Sequence, residues 1–135
     1  MNKYLAAAFA ALFVFTVPAH ALDITIHYIK QDTAALPTLS NLDPIPSDLG
    51  IKGAELALTD NTTTGRFLGH NYHLDVTSVP VDGDFIDAVS GALGKTDLIV
   101  LDAPAQALLA AADLPDAANA LIFNTSAPDT ELRNR

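Results

Sequence analysis

Several groups of residues in this 135-residue chain have types and spacings that could do chemistry. Asp102 ends an apolar run and is followed by Ala103 and Pro104. A carboxylate there can act as an acid or base, or it can cap the helix that Pro104 opens; capping is the favoured reading. Asn124-Thr125-Ser126 places an amide, two hydroxyls and backbone N–H groups between another apolar run and a helix start. A helix N-terminus there would favour a carboxylate or other anion, and the same residues would also serve as an ordinary cap. Asp82-Gly83-Asp84 with Asp87 has a calcium-like composition, but the spacing does not continue as an EF-hand loop. These acids sit where a helix N-terminus favours negative charge, so they read as caps. His70 and His73 are three apart, which on a strand puts them on opposite faces and argues against a shared metal.

Other chemistries find no support. With no cysteine, the chain offers no disulfide, no zinc-thiolate site and no thiol nucleophile. The first strand-to-helix turn, Gln31-Asp-Thr-Ala-Ala35, lacks the glycines of a dinucleotide site, and there is no P-loop lysine. None of Ser40, Ser47, Ser78, Ser90 and Ser126 lies in a GxSxG nucleophile elbow. His27 reads as a structural residue. The expectation is a protein that is not an enzyme and needs neither metal nor cofactor.

The elements that position these residues alternate between strand and helix. Ile24, Ile26 and Tyr28 alternate with polar residues and predict a strand over 23–30. A long connection, 31–47, contains Pro37, Pro44 and Pro46. Ser47 or Asp48 then caps a helix running to Asn61, with Ile51, Ala54 and Leu58 on one face and Leu56 and Ala57 widening it. Gly53 lies mid-helix, where close helix–sheet approach would explain it, and 62–69 reads as a polar turn. Tyr72, Leu74 and Val76 mark a second strand. Phe85, Ala88, Val89, Ala92 and Leu93 follow the i, i+3, i+4, i+7, i+8 spacing of an amphipathic helix that Gly94 closes. Leu98–Leu101 is a continuous apolar run, as in a central strand buried on both faces. A helix over 104–112 with Ala105, Leu108, Leu109 and Ala112 inward, a strand over 120–123 and a helix from Pro128 complete the pattern.

This order predicts an α/β fold with a doubly wound, Rossmann-like parallel sheet and right-handed crossovers. Ligands of such sheets bind outside the carboxyl ends of the strands, where the strand order reverses. That selects the loop from Gln31, the pair Asp102-Ala103, and Asn124-Thr125-Ser126.

The N-terminus reads as an export signal. Asn2 and Lys3 precede the uncharged run Leu5–Val17, and Ala19-His20-Ala21 fits a small-x-small cleavage site. Residues 1–21 are therefore expected to be a signal peptide, and 22–135 the mature part. The apolar run is short of the ~20 residues that a spanning helix needs, so no stable membrane insertion is expected after cleavage. Removing Lys3 leaves an excess of acidic over basic residues larger than the −9 of the whole chain. That balance argues against nucleic acid and anionic membrane surfaces as partners. A helix from Pro128 would be cut off by the end of the sequence, so the N-terminal part of a longer protein is expected.

Gly50-Ile-Lys-Gly-Ala-Glu-Leu-Ala-Leu-Thr-Asp-Asn61 resembles the first helix of type I periplasmic binding proteins, the branched-chain amino-acid class of ABC-transporter substrate-binding proteins. Thr64-Gly-Arg-Phe-Leu-Gly69 takes the place of the family's glycine-containing turn. Leu121-Ile-Phe-Asn-Thr-Ser-Ala-Pro-Asp-Thr-Glu-Leu-Arg133 resembles its strand-loop-helix entry into the binding cleft, in wording close to a subgroup associated with pyrroloquinoline-quinone-dependent alcohol oxidation. The resemblance implies the first lobe of a periplasmic protein that closes on a small polar or amino-acid-like solute and delivers it to an ABC-transporter permease. It places ligand contacts at Asp102, Ala103, Thr125, Ser126 and Ala127. The chain departs from the pattern where amino-acid binders offer a hydroxyl after the third strand and this sequence has Asp102-Ala103-Pro104. Two alternatives stay open: a non-transport accessory or sensory protein of periplasmic alcohol oxidation, and a small secreted α/β enzyme using Asp102.

Overall fold

The computed structural model describes residues 21–34 and 46–134. The expected signal segment, apart from Ala21, and most of the connection with Pro37 and Pro44 lie outside the described residues.

Four strands form one parallel sheet in the order β2-β1-β3-β4: β1 Leu22–Gln31, β2 His70–Val79, β3 Leu98–Asp102 and β4 Leu121–Asn124. Helix α1, Leu49–Leu68, connects β1 to β2; α2, Phe85–Leu93, connects β2 to β3; α3, Ala105–Ala112, connects β3 to β4. The fold is an α/β sheet wound in both directions from β1. Right-handed crossovers place a helix on one face when the chain moves one way and on the other face when it reverses. Accordingly, α2 and α3 cover one face and α1 the other.

The α2/α3 face holds the core. Ile29, Ile99 and Leu101 point into it from β1 and β3, and Phe85, Val89, Ala92, Leu108 and Ala111 meet them from the helices. Ile29, Ile99, Leu101 and Val89 are fully buried, each contributing about 1.5–3 kcal/mol relative to exposure. Helix α2 follows its predicted periodicity. Asp84 caps it by accepting the Asp87 backbone N–H at 2.9 Å. Gly94 closes it in a right-handed conformation rather than the left-handed one usual for a terminating glycine. In α3, Pro104 occupies the N-cap rather than the first helical position, and Ala111 is buried where Ala112 was expected.

The opposite face is thinly covered. Helix α1 packs chiefly on β2, and only Gly65 of its residues is buried. β3 therefore alternates: Ile99 and Leu101 are buried while Leu98 and Val100 are only partly so, which corrects the expectation of burial on both faces. Leu121 and Phe123 of β4 are exposed on the same side.

Helix α1 departs most from its predicted form. It continues two turns past Asn61, through the stretch read as a polar turn. Thr59 and Thr63 hydroxyls donate to carbonyls four residues back, and Asn61 Nδ2 does the same. These bonds satisfy the polar side chains without breaking the helix. Gly69 ends it at φ 72°, in the left-handed region, with its N–H donating to the Gly65 carbonyl. Leu56 is exposed and does not widen the buried face. Gly53 has nothing near its Cβ direction; close approach to the sheet belongs instead to Gly65, beside the Tyr72 ring, and to Gly50.

Candidate functional site

In a parallel sheet ordered β2-β1-β3-β4, the direction of winding reverses between β1 and β3. Their carboxyl ends flank a crevice because the chain leaves them toward opposite faces. Here that crevice is a cavity of about 440 Å³. Its floor is formed by Tyr28, Lys30 and Gln31 at the end of β1 and by Asp102 and Ala103 at the end of β3. Thr125 and Ser126 wall it beyond β4, and Leu49 and Gly50 wall it from the first turn of α1.

Strand pairing sets Lys30 directly opposite Asp102. Two residues earlier on the same face, Tyr28 is buried, and its hydroxyl donates to Asp102 Oδ2 at 3.1 Å. Burial pushes the Tyr28 phenol pKa up, the Asp102 charge pushes it further, and the nearby Thr125 hydroxyl partly offsets both. Tyr28 is therefore a fixed neutral donor. The Lys30 ammonium donates to the Ser47 carbonyl and forms no ion pair with Asp102. Gly50 makes this packing possible, since a Cβ there would lie 2.1 Å from the Tyr28 hydroxyl oxygen.

The segment after β4 is closed on itself. Asn124 Oδ1 accepts the backbone N–H of Ser126 at 3.2 Å and of Ala127 at 3.0 Å, while Asn124 Nδ2 donates to the Ala127 carbonyl at 2.7 Å. Thr125 ties back to β3, with its backbone N–H and its hydroxyl each donating to the Leu101 carbonyl at 3.1 Å. No α-helix follows among the described residues, only a 3₁₀ turn at Thr130–Arg133. Among the described residues no α-helix N-terminus stands here, and Asn124 uses the Ser126 and Ala127 N–H groups itself, which is the capping alternative.

Of the residues named from sequence, Asp102, Ala103, Thr125 and Ser126 come together in the cleft. Ala127 does not line it. Ala127 faces a neighbouring hollow with Pro104, Gln106 and Pro128, on the far side of Ser126. Asp102 does not cap α3, whose N-cap is Pro104 without a side-chain bond. Tyr28, Lys30 and Gly50 were not anticipated. Tyr28 reads in sequence as one more apolar strand position, and only its place near the strand's carboxyl end marked it for the site.

A second hollow, about 470 Å³, lies between α1 and the sheet. Ile26, Ala54, Leu58, Leu74 and Val100 line it, and no charged side chain does. It is the gap left where α1 stands off β1 and β3. Elsewhere, Asp82, Asp84 and Asp87 converge on no ion site; among the described residues no group of three or more His, Asp or Glu side chains is placed to hold a metal. No helix among the described residues is long and apolar enough to cross a membrane.

No protein-family model matches the chain, and neither a curated protein nor a solved structure is significantly similar to it.

Proposed function

We propose that this chain is the solute-binding component of a periplasmic ABC-type importer, holding a small polar solute in the cleft at the carboxyl ends of β1 and β3. The observation that carries the reading is the cleft itself. A cavity of about 440 Å³ sits at the winding reversal and combines a carboxylate, a buried phenol, an ammonium and the hydroxyls of Thr33, Thr125 and Ser126. Cavities of a few hundred Å³ with a few convergent polar groups are typical of small-molecule sites. The groups suit binding better than turnover. Asp102 is engaged by a neutral phenol that donates to it, and among the described residues no nucleophile paired with a base accompanies it. The export-type N-terminus and the resemblance of Gly50–Asn61 and Leu121–Arg133 to periplasmic binding proteins favour delivery to a permease partner.

The test has two parts. Fractionation of producing cells locates the chain, with processing after Ala21 expected. Screening the purified protein against small polar solutes by thermal shift should find stabilising ligands. Retention in the cytoplasm unprocessed would defeat the location, and absence of any stabilising solute would defeat the binding.

A further inference from the structure

We infer that the cleft selects small organic cations, specifically protonated amines, over carboxylates and neutral polyols, with Asp102 as the counter-charge. This rests on the solute-binding reading and adds the charge class of the ligand.

The first ground is the loss of the anion site. An anion at the end of a parallel strand is ordinarily held by unused backbone N–H groups. Here the N–H groups of Thr125, Ser126 and Ala127 are consumed by Leu101 and Asn124. Among the described residues, the helical turn beyond them is the short 3₁₀ segment Thr130–Arg133.

The second ground is the state of Asp102. Among the described residues its one side-chain hydrogen bond comes from Tyr28, a neutral donor that adds no counter-charge of its own. Among the described residues, no lysine or arginine forms an ion pair with Asp102. Lys30, its neighbour across the strands, is drawn to the Ser47 carbonyl. A carboxylate held in place by a buried phenol, with an oxygen left over, is a preorganised acceptor for an ammonium group.

The third ground is the field. The chain carries a formal charge of −9, which draws cations toward its surface and repels anions. Ser126, Thr33 and Gln31 supply neutral hydrogen-bonding groups around the charge, matching a polar tail on the amine.

Three solutes of nearly equal size isolate the charge: 2-aminoethanol, ethylene glycol and glycolate. Each is titrated into the ¹⁵N-labelled full chain, following backbone shifts. The expected result is movement of the Tyr28, Lys30, Asp102, Thr125 and Ser126 signals with 2-aminoethanol, at an affinity at least tenfold above the other two. The preference should weaken with added salt and disappear in D102N. Glycolate or ethylene glycol binding as well or better at these residues overturns the charge assignment and leaves the solute-binding reading standing. Failure of all three, together with a blank thermal-shift screen, overturns both. The comparison among solutes on the unaltered chain holds whether or not D102N folds.

Discussion

The Tyr28 hydroxyl donates to Asp102 Oδ2 at 3.1 Å, tying the ends of β1 and β3 together at the point where the sheet reverses its winding. Tyr28 is 3% exposed, so this bond is made inside the protein, while Asp102 itself remains partly open to the cleft. Removing the donor should cost about 0.5–1.5 kcal/mol. Y28F is therefore expected to lower the urea midpoint modestly without changing the slope. It should also free the Asp102 carboxylate that the phenol holds in place, so amine affinity should fall. Unchanged or higher amine affinity would mean that the phenol does not position the carboxylate for the ligand.

Gly50 and Gly53 make opposite predictions from the same helix. A Cβ at Gly50 would meet the Tyr28 hydroxyl at 2.1 Å, so G50A must move either α1 or the Tyr28 ring, at about 1–3 kcal/mol. Gly53 has open space, and G53A should stabilise by up to about 1 kcal/mol through helix propensity alone. Denaturant melts of the two variants check the sign. Equal effects would contradict the packing of α1 against Tyr28.

Gly65 should be as intolerant as Gly50, for a different contact. Its Cβ would lie 2.5 Å from the Tyr72 ring and 3.0 Å from the His70 carbonyl. G65A is expected to push α1 off β2, its main support, and to lower stability by about 1–3 kcal/mol. The loss should be accompanied by faster amide exchange along α1. Unchanged exchange there would show that α1 is held elsewhere.

His27 gives stability a pH dependence of definite sign. It is 7% exposed on the core side of β1, with Nε2 2.8 Å from the Thr77 hydroxyl and Nδ1 without a hydrogen-bond partner. Burial lowers its pKa, Lys95 lowers it further and Asp75 opposes them. The folded state therefore prefers the neutral ring. As pH falls below about 6.5, the unfolded chain takes up a proton that the folded chain refuses, and stability drops. The loss is complete once pH passes below the depressed folded value. Chemical denaturation at several pH values should show this decline, and H27Q should flatten it. A decline that persists unchanged in H27Q would assign it to the carboxylates.

Much of this was legible in the chain because the signals were local. The spacing of Phe85, Ala88, Val89, Ala92 and Leu93, and Asp84 ahead of them, specify α2 and its cap without reference to anything distant. The strand–helix alternation carries the fold class, and the winding rule then led to Asp102, Ala103, Thr125 and Ser126. What was not legible depended on contacts between distant residues. Thr62-Thr-Thr-Gly65 has turn composition, yet side-chain bonds back to the helix and the fit of Gly65 against Tyr72 keep it helical. Gly53 is the mid-helix glycine in the sequence, while Gly50, in the first turn, makes the close approach because Tyr28 lies beneath it. Of the two roles expected of Asn124-Thr125-Ser126, Asn124 takes the capping one. Its side chain closes the backbone donors that a helix start would have offered.

The central claim is that the winding-reversal cleft, and not the apolar gap beneath α1, is where this chain takes its ligand. Backbone shift mapping with 2-aminoethanol tests it directly. The account predicts perturbations centred on Lys30, Asp102 and Ser126, which line the cleft and not the gap, lost in D102N. Perturbations centred instead on Ala54, Leu58, Leu74 and Val100 would contradict it.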